Sequence, residues 1–114
     1  MTRERRRHPR RAVDGFEDAA RVMSGGVVVA SGVDVRDVSH GGLFVDLAPH
    51  VVSRVPLGAA VAVEVAGLRI AGRVVRVRLD GRRRGQPIAP GAAIAFAEPH
   101  PEAWARLIDA LPAT

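Results

Sequence analysis

Apolar and polar or small residues alternate along most of this chain, and the alternation has the period of two that belongs to strands. Between Ala19 and Val38 it predicts two strands around a turn at Ser24-Gly25-Gly26, with Val27, Val29, Val33 and Val35 at alternate positions. Gly32 marks a bulge in the second strand. Leu43-Phe44-Val45-Asp46-Leu47 reads as a third strand whose Leu43, Val45 and Leu47 share one face, and Pro49 ends it. After a loop through Pro56-Leu57-Gly58, Val61, Val63 and Val65 alternate with Ala62 and Glu64 until Ala66-Gly67 turns the chain back into a hairpin. On the return strand Leu68 and Ile70 are expected inside. Its later apolar positions, Val75, Val77 and Leu79, have the opposite parity, so a bulge is expected around Gly72, with Arg76 and Arg78 outside. A polar loop from Asp80 to Gly91 precedes the last strand, Ala92 to Ala97, with Ile94 and Phe96 inward.

Only the C-terminus changes period. Pro101 suits the first turn of a helix, and Trp104, Leu107, Ile108 and Leu111 recur at helical spacing until Pro112. The pattern therefore describes a small β-barrel on which one amphipathic helix docks. Composition agrees: 47% of the 114 residues are hydrophobic but 4% aromatic, so Val, Ala, Leu and Ile must fill a single core around Phe16, Phe44, Phe96 and Trp104. There is no cysteine, hence no disulfide and no thiolate metal site. No stretch is apolar enough to span a bilayer and the N-terminus lacks a signal-peptide core, which makes a cytoplasmic location the default expectation.

Charge is distributed unevenly. The first eleven residues hold six Arg and one Glu, whereas the remaining 103 hold eleven Arg against eleven acids. The whole net charge of +5 thus sits in an arm, residues 1–11, ahead of a body, residues 12–114. Without apolar periodicity the arm is expected to stay disordered until an anionic partner orders it. Two patterns carry candidate chemistry. Arg6-x-x-x-Arg10 offers guanidinium forks, and Asp37-Val38-Ser39-His40-Gly41-Gly42 offers a carboxylate and a hydroxyl two residues apart on one side of an extended segment, followed by glycines for a tight turn. Guanine and phosphate are the groups that need those chemistries.

On these residues the chain resembles the PilZ domain family, bacterial receptor modules for the second messenger cyclic di-GMP. Arg6-Arg7-His8-Pro9-Arg10 and Val35-Arg36-Asp37-Val38-Ser39-His40-Gly41-Gly42-Leu43-Phe44-Val45 carry the likeness, with 27 residues from Arg10 to Asp37. Gly72-Arg73-Val74-Val75-Arg76-Val77, the Gly91-to-Phe96 strand and the terminal helix are similar to the family's closing half. The resemblance implies a mainly β fold, a six-stranded antiparallel barrel with a C-terminal α-helix, and a ligand on the barrel surface under the arm. By that resemblance Arg6 and Arg10 hold phosphate oxygens and the Hoogsteen edge of guanine, Asp37 and Ser39 contact guanine, and Gly42 is the turn glycine, with Arg5, Arg7 and Gly41 beside them in the site. A basic residue before the first paired arginine, here Arg5, goes in the family with an intercalated ligand dimer, so two cyclic di-GMP molecules per protomer are expected. The output of such a receptor is a changed surface read by a downstream protein.

Readings from other classes fit the chain less well. A β-barrel gripping nucleic acid through its basic arm lacks the aromatic stacking platforms that such binding uses. A protein-interaction PilZ domain that ignores nucleotide would lack the paired arginines present here. Three residues in one turn, Asp37, Ser39 and His40, do not converge as a triad, so no catalytic residue is assigned and the chain is read as a non-enzyme. His8, His40, His50 and His100 lack metal-ligand spacing, and no metal or other cofactor is expected.

Overall fold

The computed structural model describes residues 11–12, 16, 19–79, 82–83, 85–87, 89–98 and 101–111. In chain order they form strands β1 (Arg11–Ala12), β2 (Ala20–Ser24), β3 (Val27–Val33), β4 (Val35–Ser39) and β5 (Gly42–Asp46), then a one-turn helix α1 (Pro49–Val52). Strands β6 (Ala60–Val65) and β7 (Leu68–Arg78) follow, then two-residue strands β8 (Arg82–Arg83) and β9 (Gln86–Pro87), strand β10 (Gly91–Phe96) and helix α2 (Glu102–Asp109). The polar tract expected as a loop thus contains a separate small hairpin, β8 with β9.

All other strands join one antiparallel sheet in the order β1-β4-β5-β10-β7-β6-β2-β3. Seven of them are five residues or longer, where six were expected. Along the described ladders this order does not return on itself, so the sheet is curled, a half-barrel. The curl follows from connectivity: β3 and β4 stand near opposite ends of the order yet only Asp34 separates them in sequence. Bending is the one way a single residue can join them.

Several turns form as their residues dictate. Gly25 and Gly26 have φ of 59° and 80°, the positive pair that a two-residue hairpin turn of type I′ requires, and they link β2 to β3. Gly32 is the unpaired residue where the β2–β3 register shifts between Ala20 and Arg21, the bulge expected there. The inward positions of β2, β4, β5, β6, β7 and β10 meet in one core that includes Val22, Val38, Val45, Val63, Val74 and Ile94, and α2 closes it with Trp104 and Ile108. Each such side chain contributes about 1.5–3 kcal/mol through burial. Trp104 meets Phe96 edge to face at 5.3 Å.

One parity expectation fails. Gly72 causes no switch in β7: Val74 is buried, while Val75, Val77 and Leu79 are exposed. The bulge lies three residues later. In the β7–β10 ladder Val74 pairs with Ile94 and Arg76 with Ala93, which leaves Val75 as the extra residue. Gly72 serves another purpose, because a Cβ there would lie 2.6 Å from the Ala95 carbonyl oxygen. It is a point of close strand approach, which reads in sequence like a bulge glycine.

Candidate functional site

Strand β4 is where the acid–hydroxyl pair is oriented. Val35 and Val38 are both buried, although three residues apart on a strand they would face opposite ways. The β4–β5 register resolves this: Val35 pairs with Val45, Asp37 with Phe44, Val38 with Leu43 and Ser39 with Gly42, so Arg36 is an extra residue. That bulge returns Val38 to the core and sends Asp37 and Ser39 to the outward face. Arg36 itself donates through Nε and Nη2 to the two carboxylate oxygens of Asp46 at the far end of β5.

The turn after Ser39 is anchored on three sides. The Trp104 Nε1–H donates to the Ser39 carbonyl at 2.8 Å, the Phe96 amide donates to the Gly41 carbonyl at 2.8 Å, and His40 Nε2 lies 2.7 Å from Asp109 Oδ1. Core, last strand and α2 therefore all hold the motif. His40 is half-exposed and bonded to the helix. Gly42 is needed for space: an added Cβ would sit 2.2 Å from the Ile94 carbonyl oxygen and 3.2 Å from the Ala95 Cα. Its φ is not positive, so space rather than backbone conformation calls for glycine here.

Across the outward face the ladders build a bed around Asp37 and Ser39. Directly opposed residues share a face, so one row runs Asp37, Phe44, Ala93, Arg76 and the next runs Ser39, Gly42, Ala95, Arg73. Small residues make the floor between an acid–hydroxyl side and an arginine side. Phe44 is buried even though it faces outward, and the Arg78 guanidinium lies 4.5 Å from its ring centroid, a cation–π contact held by a hydrogen bond from Arg78 Nε to the Ala89 carbonyl at 3.0 Å. Sequence parity put Arg76 and Arg78 outside, as found.

At the other edge of this bed the chain emerges from its basic segment. Arg11 pairs with Val38 and Ala12 with Asp37, so β1 runs antiparallel beside the strand that carries the acid and the hydroxyl. Of the residues singled out in sequence, Asp37, Ser39, Gly41 and Gly42 are thus brought together at one turn. Arg5, Arg6, Arg7 and Arg10 lie outside the described residues.

A curled antiparallel sheet capped by one C-terminal helix, with a polar turn bedded on its outer surface, defines a small β module with a surface site. The PilZ domain family model matches residues 4–111, and the chain belongs to that family. Its fold is similar to that of the PlzA protein of Borreliella burgdorferi, solved in complex with c-di-GMP, at 18% identity and a TM-score of 0.65 over 92% of this chain and 40% of that one. It is also similar to the PilZ domain of YcgR from Escherichia coli, solved with c-di-GMP, at 16% identity and a TM-score of 0.62 over 92% of this chain and 87% of that one. A comparison with curated proteins finds no match. No described helix is long and apolar enough to cross a membrane.

Proposed function

We propose that this PilZ domain is a receptor for cyclic di-GMP and not an enzyme, working in the cytoplasm and signalling to a partner protein through a surface that the ligand rearranges. The single observation that carries this reading is the β1–β4 pairing, Arg11 with Val38 and Ala12 with Asp37. Because β1 follows directly on the basic segment in sequence, this reading assigns Arg5, Arg6, Arg7 and Arg10 to the same ligand as Asp37 and Ser39. Family membership and the cyclic di-GMP complexes of both solved relatives support it.

The chemistry matches the ligand. Cyclic di-GMP is a dianion with two guanines, and arginine supplies both a fork for phosphate or guanine O6/N7 and a plane for stacking. The Asp37 carboxylate accepts N–H donors of a guanine edge, the Ser39 hydroxyl donates or accepts beside it, and Gly41 and Gly42 keep the turn free of side-chain bulk. The arm, residues 1–11, acts as the switch: ordering it over residues 12–114 changes the presented surface without altering the core. With Arg5 ahead of Arg6, the bound species is an intercalated pair of ligands.

Calorimetric titration with cyclic di-GMP tests this directly. Saturation at two ligands per chain is expected, and saturation at one removes the ligand dimer while leaving the receptor. Competition decides the class: if GTP, cyclic AMP or a generic oligonucleotide displaces labelled ligand as well as unlabelled cyclic di-GMP does, the receptor reading gives way to nonspecific anion or nucleic-acid binding by the arm.

A further inference from the structure

Arg73 and Arg76 are three apart on β7, a spacing that on an unbroken strand places two side chains on opposite faces. The bulge at Val75 cancels that difference. Arg73 pairs with Ala95 and Arg76 with Ala93, and these alanines are two apart on β10, so both arginines emerge on the same outward face as Asp37 and Ser39. Bulges re-aim side chains at binding sites in this way. The site strand β4 shows the same device at Arg36, and the two bulges together turn residues from either side toward one floor of Gly42, Phe44, Ala93 and Ala95.

The arginines of this face are not equivalent. Arg73 is committed to the Gly58 carbonyl through Nη1 at 2.7 Å, and Arg78 is held by the Ala89 carbonyl and the Phe44 ring. Arg76 is exposed and has no hydrogen-bond or ion-pair partner among the described residues. Its strand stands three strand spacings, about 14 Å, from that of Asp37. An arginine side chain leaning over the small Ala93 shortens that span to one that a cyclic dinucleotide can bridge.

We propose that Arg76 is a further ligand-binding residue of this chain, closing the side of the bed opposite β4 and holding a phosphate, or a guanine O6/N7 edge, of a ligand seated on Asp37 and Ser39. The inference rests on the cyclic di-GMP reading above. It gives the bed a cation on β7, across the small-residue floor from the acid–hydroxyl pair on β4. Arg76 also ties affinity to the sheet itself, because the Val75 bulge sets its direction before any ligand arrives.

Calorimetry with cyclic di-GMP on the full chain separates this inference from its parent. For Arg76→Ala the affinity falls roughly ten- to a hundredfold, the loss of one charge-assisted contact, with an unchanged melting temperature of the free protein. Arg76→Lys restores only part, since an ammonium lacks the planar fork. Arg69→Ala is the control: Arg69 lies further along β7, pairs with Glu64 at 3.7 Å and removes the same charge. It leaves affinity within about twofold if contact rather than general attraction is at work. Wild-type binding with Arg76→Ala equally tight overturns the inference and spares the receptor. An equal loss in Arg69→Ala overturns it in favour of diffuse electrostatics, and absence of wild-type binding overturns both readings.

Discussion

Gly42 shows how a single missing methyl group can be structural and functional at once. The carbonyl oxygen of Ile94 occupies the space where a Cβ would go, 2.2 Å away, and backbone of a central strand cannot yield as a side-chain tip can. Gly42→Ala should therefore cost about 3 kcal/mol, lowering the thermal midpoint by roughly 10 °C or more. Gly26 provides the contrast, because nothing lies within 4 Å of a Cβ added there and only its φ of +80° resists. Gly26→Ala should cost about 1–2 kcal/mol. Thermal denaturation of the two variants measures the difference, and equal losses would mean that the β5–β10 approach is looser than the geometry requires.

At the scale of elements, α2 and the β4–β5 turn behave as one unit. The Trp104 indole fills the core and its N–H satisfies the Ser39 carbonyl, so the helix that closes the sheet also holds the residue that presents the hydroxyl. Trp104→Phe keeps an aromatic ring but leaves that carbonyl without its donor. A destabilisation of about 2–3 kcal/mol is expected from the lost bond and volume together. Cyclic di-GMP affinity should drop severalfold beyond what unfolding explains, because the turn is released; titration well below the melting range checks this. The ion pair of Arg106 with Glu102 on the same helix, at 3.6 Å and exposed on both sides, contributes little by comparison.

For the molecule as a whole, the division between a balanced body and an arginine-laden leader predicts that stability and binding separate. Arg6→Ala and Arg10→Ala should each abolish measurable cyclic di-GMP binding while leaving the free protein's melting temperature within about 1 °C, since the core residues among those described all follow the arm in sequence. Asp37→Ala should instead weaken binding and slightly loosen β4. A lowered midpoint in the arginine variants would show that the arm packs on the body without ligand, and undiminished affinity would remove them from the site.

Much of this was readable from one dimension. Turn glycines at Gly25 and Gly26, alternation through β6, the helical spacing of Trp104 and Ile108, and the two polar motifs each depend on neighbours in the chain, so their residues alone determined strands, hairpins, terminal helix and the chemistry on offer. Which face each residue takes was another matter. The bulges at Arg36 and Val75 lie at residues with no conformational signature, and each reverses the parity of everything after it. Strand counting therefore put the reversal at Gly72 and Val75 inside. Only the curled sheet decided these, because pairing on both sides of β5 and β10 selects the register that buries Val38, Val74 and Ile94 together, and that choice turns Asp37, Ser39, Arg73 and Arg76 toward one outer bed.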